Sequence, residues 1–213
     1  MKFERLLETV GDLPVFKTAL LLEGKVNPDV VRLQLTRWTK SGRVYQLRRG
    51  LYALAPPYQK VRPHPFLIAN HLQRASYVSG QSALAFYGLI QDVVQRTTSV
   101  TAARAERFET PLGVFESRHI KPELLYGYHK LELGNDQQAL VATPEKALLD
   151  LVYLTPGGDS PEYLRELRLQ NLDRLDINEL RRQVETFNTP KLYRAYEGIA
   201  HLARAETKEY ETL

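Results

Sequence analysis

The sequence predicts an α+β fold, and three observations support this class. Residues 1–60 have the spacing of short helices that end in a basic helix and a tight hairpin. Residues 93–142 are rich in β-branched and aromatic residues, as strands are, and residues 143–204 return to helical spacing. The chain has 213 residues, of which 43% are hydrophobic, so one large domain or two small ones can bury a core.

The N-terminal segment predicts three helices. Residues 2–9 carry apolar side chains at helical spacing. Asp12 is suited to cap a second helix, which Gly24 would end. Asn27 and Pro28 are suited to the cap and the first position of a third helix.

The third helix has two faces, and a hairpin follows it. At about 100° per residue, Val31, Leu35 and Trp38 share one narrow face, which we expect to pack inward. Residues 44–54 predict two short strands, and Gly50 can take the positive φ that a tight turn requires.

Three helices and a hairpin in this order predict an N-terminal winged helix-turn-helix, whose third helix enters the major groove of DNA. Arginine and glutamine suit base edges, threonine and lysine suit phosphates, and the hairpin arginines would reach the backbone or the minor groove. The predicted DNA-binding residues are Arg32, Gln34, Thr36, Arg37, Thr39, Lys40, Arg43, Arg48 and Arg49. Leu33 falls on the same outer arc, where it would contact a thymine methyl group or pack on the hairpin.

Charge is distributed unevenly along the chain. Residues 1–60 hold eleven Lys and Arg against five Asp and Glu, a net of +6, whereas the remainder holds 18 against 20, a net of −2. No acidic residue occurs between Asp29 and Asp92. A polyanionic partner fits this window. Winged helices also serve as protein-interaction modules, but the basic third helix favours double-stranded DNA.

Prolines within residues 55–65 predict a stiff, poorly hydrogen-bonded linker, and therefore domains at 1–57 and 58–213. The second domain is predicted to be mixed α/β, with a small antiparallel sheet and a helical C-terminal tail. Thr143 is suited to cap a strong helix, and Asp176 or Thr189 to cap helices of the tail.

Four segments in order resemble the AbiEi family of type IV toxin-antitoxin antitoxins and transcriptional regulators. They are residues 48–54 (RRGLYAL), 77–90 (YVSGQSALAFYGLI), 110–128 (TPLGVFESRHIKPELLYGY) and 142–154 (ATPEKALLDLVYL). The resemblance implies a winged helix that binds operator DNA, usually as inverted repeats upstream of its own operon. It also implies an antitoxin domain that neutralises a nucleotidyltransferase-like toxin without a stable complex. Stand-alone regulators share these motifs, so a regulator without a toxin partner is the alternative, as is a winged-helix module that inhibits a toxin directly.

The sequence supports an enzymatic function less strongly than it supports DNA binding. Arg118, His119, Lys121 and Glu145 could form a phosphate or nucleotide site, but the stronger interpretation is that they tie a hairpin to a helix. Glu145 and Lys146 are also residue types that could act in catalysis. The five histidines lack metal-ligand spacing, and the sequence has no GxGxxG, GxxxxGK[ST] or GxSxG motif. We therefore expect no catalytic residue, no metal and no cofactor.

The amino-acid composition also indicates the cellular compartment of the protein. The chain has no cysteine, which excludes disulfides and thiolate zinc sites and fits a reducing environment. No apolar run approaches the roughly 20 residues that a membrane span needs. Glutamates stand near the N-terminus where a signal peptide would be apolar. We expect a cytoplasmic protein.

Overall fold

The computed structural model of the protein describes residues 2–23, 26–91 and 95–211, and it describes residues 207–211 by their backbone alone. The predicted α+β class is confirmed, with helices and two β-sheets in the described residues. The helices are α1 (Phe3–Val10), α2 (Pro28–Lys40), α3 (Pro65–Leu72), α4 (Gly80–Phe86), α5 (Pro144–Leu154), α6 (Pro161–Glu166), α7 (Ile177–Phe187) and α8 (Pro190–Glu211). The strands are β1 (Phe16–Lys17), β2 (Val44–Arg48), β3 (Leu51–Leu54), β4 (Ser76–Val78), β5 (Arg96–Thr101), β6 (Arg107–Thr110), β7 (Gly113–His119), β8 (Tyr128–Glu132) and β9 (Gln138–Ala142).

The N-terminal part packs α1 and α2 against a three-stranded antiparallel sheet in the order β1-β3-β2. The predicted hairpin is confirmed, because β2 and β3 pair along their length. Gly50 in its turn has a φ of +82°, a left-handed conformation that a side chain would strain.

The predicted second helix is wrong. Its residues form β1 and then a 3-10 helix, Thr18–Leu22. β1 pairs with β3, and the Thr18 N–H donates to the Gly50 carbonyl at 3.0 Å. These bonds to a distant strand outweigh a weak local helix preference. Gly24, which was expected to end this helix, lies outside the described residues.

The start and the inner face of α2 follow the prediction. The Asn27 side chain accepts a hydrogen bond from the Asp29 N–H at 2.9 Å. Val31 and Leu35 are fully buried, and the Trp38 ring lies edge-on to the Phe3 ring at a centroid distance of 5.3 Å. This packing determines which face of α2 points outward.

The second sheet is larger than predicted and is not purely antiparallel. Six strands pair in the order β6-β7-β5-β4-β9-β8. The predicted β6–β7 hairpin is confirmed, but β5 pairs with β7 and β4 with β9 in parallel. Parallel partners cannot be joined by a tight turn, so no turn signal announces them.

The helices that cover this sheet begin largely as their sequences indicate. Thr143 caps α5 by accepting from the Lys146 N–H at 3.2 Å, and Asp176 caps α7 by accepting from the Asn178 N–H at 2.9 Å. The side-chain oxygen of Thr189, the other candidate cap, is buried without a hydrogen-bond partner among the described residues.

The N-terminal part and the six-stranded sheet are joined by hydrophobic packing through the N-terminal hairpin. Leu47, Leu51 and Ala53 of the N-terminal hairpin join the hydrophobic core of the six-stranded sheet. The same hairpin buries Tyr52 and Leu54 in the smaller N-terminal core, so its two faces serve different cores.

The predicted linker is not poorly hydrogen-bonded. The buried Gln137 side chain accepts from the His64 N–H at 2.7 Å and donates to the Arg62 carbonyl at 3.0 Å. Gln59 donates to the Leu54 carbonyl at 3.0 Å. These side chains satisfy a backbone that prolines exclude from regular pairing, and they hold the linker against both parts.

Candidate nucleic-acid interface

The outer face of α2 brings together four of the nine predicted DNA-binding residues. Opposite its buried face the helix exposes seven side chains: Asp29, Val30, Arg32, Leu33, Thr36, Arg37 and Lys40. Gln34 and Thr39 are half-buried. The face is therefore basic at its C-terminal end and apolar near its middle.

The charged side chains on this face differ in whether they already have an ion-pair partner. Asp29 lies 3.0 Å from the Arg32 guanidinium, and both side chains are exposed. Within the part of the chain that the structure describes, no carboxylate lies at ion-pair distance from Arg37 or Lys40. Exposed ion pairs contribute about 0–1 kcal/mol, so Arg32 can exchange Asp29 for another anion at little cost.

The two threonines are less suited to phosphate than predicted. The Thr36 hydroxyl donates to the Arg32 carbonyl, and the Thr39 hydroxyl donates to the Leu35 carbonyl, each at 2.9 Å. A phosphate oxygen only accepts hydrogen bonds, so each threonine must first release its bond to the helix.

Arg43 lies between α2 and the hairpin, and it is exposed. Its guanidinium carbon stands 5.1 Å from the centre of the Phe3 ring on α1. A contact over a ring face orients the guanidinium and leaves its in-plane N–H groups available.

The hairpin separates its two arginines. Arg49 is exposed, whereas Arg48 is half-buried and its Nε is buried without a hydrogen-bond partner among the described residues. Burial lowers the pKa of His71 on α3, and the positive charges of Lys17 and Arg48 lower it further. Arg48 therefore lies at the junction with the second part of the molecule, and Arg49 is the hairpin cation that faces solvent.

A second polar cluster lies inside the molecule, between β4 and α5. Lys146 forms an ion pair with Asp150 one turn later on α5, and both side chains are essentially inaccessible to solvent. Asp150 also accepts from the Tyr77 hydroxyl at 3.0 Å and from the Ser79 hydroxyl at 2.8 Å. The Lys146 ammonium donates to the Tyr77 hydroxyl at 2.9 Å.

Burial dominates the electrostatics of this cluster. It raises the pKa of Asp150 and lowers the pKa of Lys146, and the attraction between the two opposes both shifts. Burial and the Asp150 charge raise the pKa of Tyr77, so its hydroxyl keeps the proton that it donates. Since both charged side chains are essentially inaccessible to solvent, the cluster ties a helix to a strand.

Sequence reasoning singled out Lys146 but missed Asp150, Tyr77 and Ser79. The signal was available, because lysine and aspartate at i and i+4 share a face of an otherwise apolar helix. Tyr77 and Ser79 alternate along the chain and so project to the same side of β4. Nothing in the sequence indicates that these two pairs face each other.

The phosphate or nucleotide site considered as the weaker alternative around Arg118 is not assembled. Arg118 donates to the Leu154 carbonyl, and His119 Nδ1 lies 3.0 Å from the Ala103 carbonyl oxygen. Glu145 accepts from the Asp176 N–H at 2.9 Å, while Lys121 is exposed. Arg118 instead lines a cleft of about 110 Å³ with Arg96 and Glu116, and those two form an ion pair of 3.0 Å.

Among residues 2–23, 26–91 and 95–211, no group of three or more His, Asp or Glu side chains is placed to hold a metal ion. No helix in those ranges combines the length and apolarity that crossing a membrane requires.

Comparison with known proteins shows a likeness of fold to a solved structure. No protein-family model matches the chain, and no curated protein matches it. The fold is similar to the crystal structure of the RV2827C protein from Mycobacterium tuberculosis, with a TM-score of 0.58 and 17% sequence identity. The likeness covers 95% of this chain and 76% of that one. At this identity it concerns the fold alone.

Proposed function

We propose that this protein is a sequence-specific DNA-binding transcriptional repressor whose helix α2 enters the major groove of double-stranded DNA. The observation that carries the proposal is the outer face of α2, where Arg37 and Lys40 stand exposed without an acidic partner in the described structure. Cationic side chains on an exposed helix match both the phosphates and the guanine edges of a duplex.

The arrangement around α2 supports a winged helix-turn-helix. A helix, a strand, a 3-10 helix, α2 and a hairpin follow one another, and the inner face of α2 is held by α1 and the sheet. Arg43 and Arg49 are exposed beside α2 and at the hairpin turn. In this proposal they neutralise phosphates on either side of the groove.

The antitoxin role in an AbiE-like type IV system rests on the four sequence segments that resemble the AbiEi family. In that role the protein acts in the cytoplasm, represses its own operon through inverted repeats, and neutralises a nucleotidyltransferase-like toxin without a stable complex. An adjacent, co-transcribed nucleotidyltransferase-like gene would support this part of the proposal.

Arg37→Ala should weaken binding to the promoter fragment by roughly 5- to 160-fold, since a bidentate arginine–guanine contact contributes about 1–3 kcal/mol. Arg48→Ala should have a smaller effect, because Arg48 is half-buried at the junction. Fluorescence anisotropy with the DNA upstream of the gene measures both affinities.

Arg165→Ala is the matched control for these arginines. Arg165 is 69% exposed on α6 and pairs with Glu162 there, so its loss should leave DNA affinity unchanged. Unchanged affinity in both Arg37→Ala and Arg48→Ala would contradict the assigned DNA face.

A protein-interaction module is the second candidate, because the same face exposes the apolar side chains of Val30 and Leu33. Size-exclusion chromatography with the toxin discriminates between the two. A stable co-eluting complex, together with no specific DNA binding, would favour the module.

A further inference from the structure

We propose that Leu33 reads the C5-methyl group of a thymine in the operator, with Val30 beside it. This inference rests on the proposed function, since it requires α2 to lie in the major groove. It assigns to an apolar side chain a part of the sequence specificity that charged residues alone do not supply.

Leu33 lies at the centre of the outward face. At about 100° per residue, it points about 165° away from the mean direction of the buried Val31, Leu35 and Trp38. Arg37 follows four residues later on the same side. When the helix lies in a groove, the side chains on this outward face are the ones that can reach the base edges.

The exposure of Leu33 favours the thymine contact over packing on the hairpin. Its side chain is 50% exposed, and Val30 is 43% exposed. Neither residue belongs to either hydrophobic cluster or to the partly buried side chains packed on them. Half of the Leu33 surface therefore remains available to an external apolar group.

The chemistry of the major groove restricts what Leu33 can contact. Of the groups that the four bases present there, the thymine methyl is the apolar one. Leu33 has no hydrogen-bonding group, so a base with a polar atom directly opposite would lose a water without a replacement. Leu33 thus favours thymine by burial of the methyl group and disfavours other bases by desolvation.

The side chains next to Leu33 on α2 do not compete with it for the thymine methyl group. Arg32 is paired with Asp29, and the Thr36 hydroxyl donates within the helix. Arg37 is the free long side chain closest to it along the outward face. The expected readout is therefore a guanine contacted by Arg37 next to a thymine contacted by Leu33.

The test replaces thymines one at a time by deoxyuridine, which removes only the methyl group. After footprinting of the promoter fragment, anisotropy is measured with synthetic duplexes that carry each replacement. Wild-type protein should lose roughly fourfold in affinity at one thymine per half-site, the effect of one buried methyl group. Leu33→Ala should bind the thymine and deoxyuridine duplexes equally.

Leu13→Ala is the matched control. Leu13 is also an exposed leucine, at 40%, but it lies outside α2. This variant should retain the wild-type response to deoxyuridine. Because Leu33 is exposed and belongs to no core, Leu33→Ala should also keep the wild-type unfolding midpoint.

The outcomes separate this inference from the function on which it rests. Specific binding without any deoxyuridine effect would overturn the thymine contact and leave the repressor intact. An effect that persists in Leu33→Ala would also overturn it. Absence of specific binding to the promoter fragment would overturn the proposed function first.

Discussion

Asp150→Asn should destabilise the protein by about 3–5 kcal/mol, the typical cost of removing one partner of a buried ion pair. The substitution keeps the size of the side chain but leaves the Lys146 ammonium without its counter-charge. That ammonium is inaccessible to solvent, and the aromatic rings of Tyr77, Tyr126 and Phe187 surround it at 4.7–5.4 Å. Urea unfolding followed by circular dichroism measures the loss.

The matched control is Glu185→Gln. Arg181 and Glu185 form an ion pair at the same i and i+4 spacing on α7, but their side chains are 68% and 53% exposed. Exposed pairs of this kind contribute about 0.3–0.5 kcal/mol, so this variant should unfold close to wild type. Equal losses for Asp150→Asn and Glu185→Gln would contradict the assigned role of burial.

The double variant Lys146→Met/Asp150→Leu tests whether the loss in Asp150→Asn comes from the unpaired Lys146 charge. Replacing both charges by apolar groups removes the stranded ion, so this variant should be more stable than Asp150→Asn alone. A loss equal to the summed losses of Lys146→Met and Asp150→Leu made singly would show that the charges act independently.

Binding to operator DNA should fall steeply with salt, because phosphate neutralisation releases counterions. If four of the five exposed cations Arg32, Arg37, Lys40, Arg43 and Arg49 meet phosphates, the log–log slope is about −3.6 for each protomer. Affinity should then fall about 150-fold between 50 and 200 mM salt. Anisotropy titrations at several salt concentrations measure the slope.

Two lysine variants test whether the salt dependence arises from the proposed DNA-binding face. Lys40→Gln should reduce its magnitude by about 0.9, the contribution of one phosphate. Lys130→Gln is the control, since Lys130 is exposed on β8, the edge strand of the six-stranded sheet farthest from β6. A flat salt response in wild-type protein would argue for a protein partner in place of DNA.

Local patterns predicted most elements of the fold. Asn27 and Thr143 mark the starts of α2 and α5 through side-chain caps, and the structure has both hydrogen bonds. The hairpins also followed from β-rich segments around turn residues such as Gly50. Each of these features depends on residues within a few positions of one another, where sequence signals are strong.

The errors arose where distant partners decide the structure. Residues 16–22 have an apolar helical pattern, but pairing with β3 draws them into a strand and a 3-10 helix. The parallel pairs of the second sheet were missed for the same reason. The predicted linker obtains its hydrogen bonds from Gln137, which no local pattern could connect to residues 62–64.

By itself, the sequence determined the α+β class, the start and inner face of α2, and the basic character of its outer face, because each depends on side chains one or two turns apart. Tertiary structure alone decided which cations face solvent. It left Arg48 half-buried at the junction and Arg49 exposed, and it enclosed Lys146 with Asp150 and Tyr77. The physical reason is that exposure is set by the packing of elements from distant parts of the chain, which residue type and local spacing do not encode.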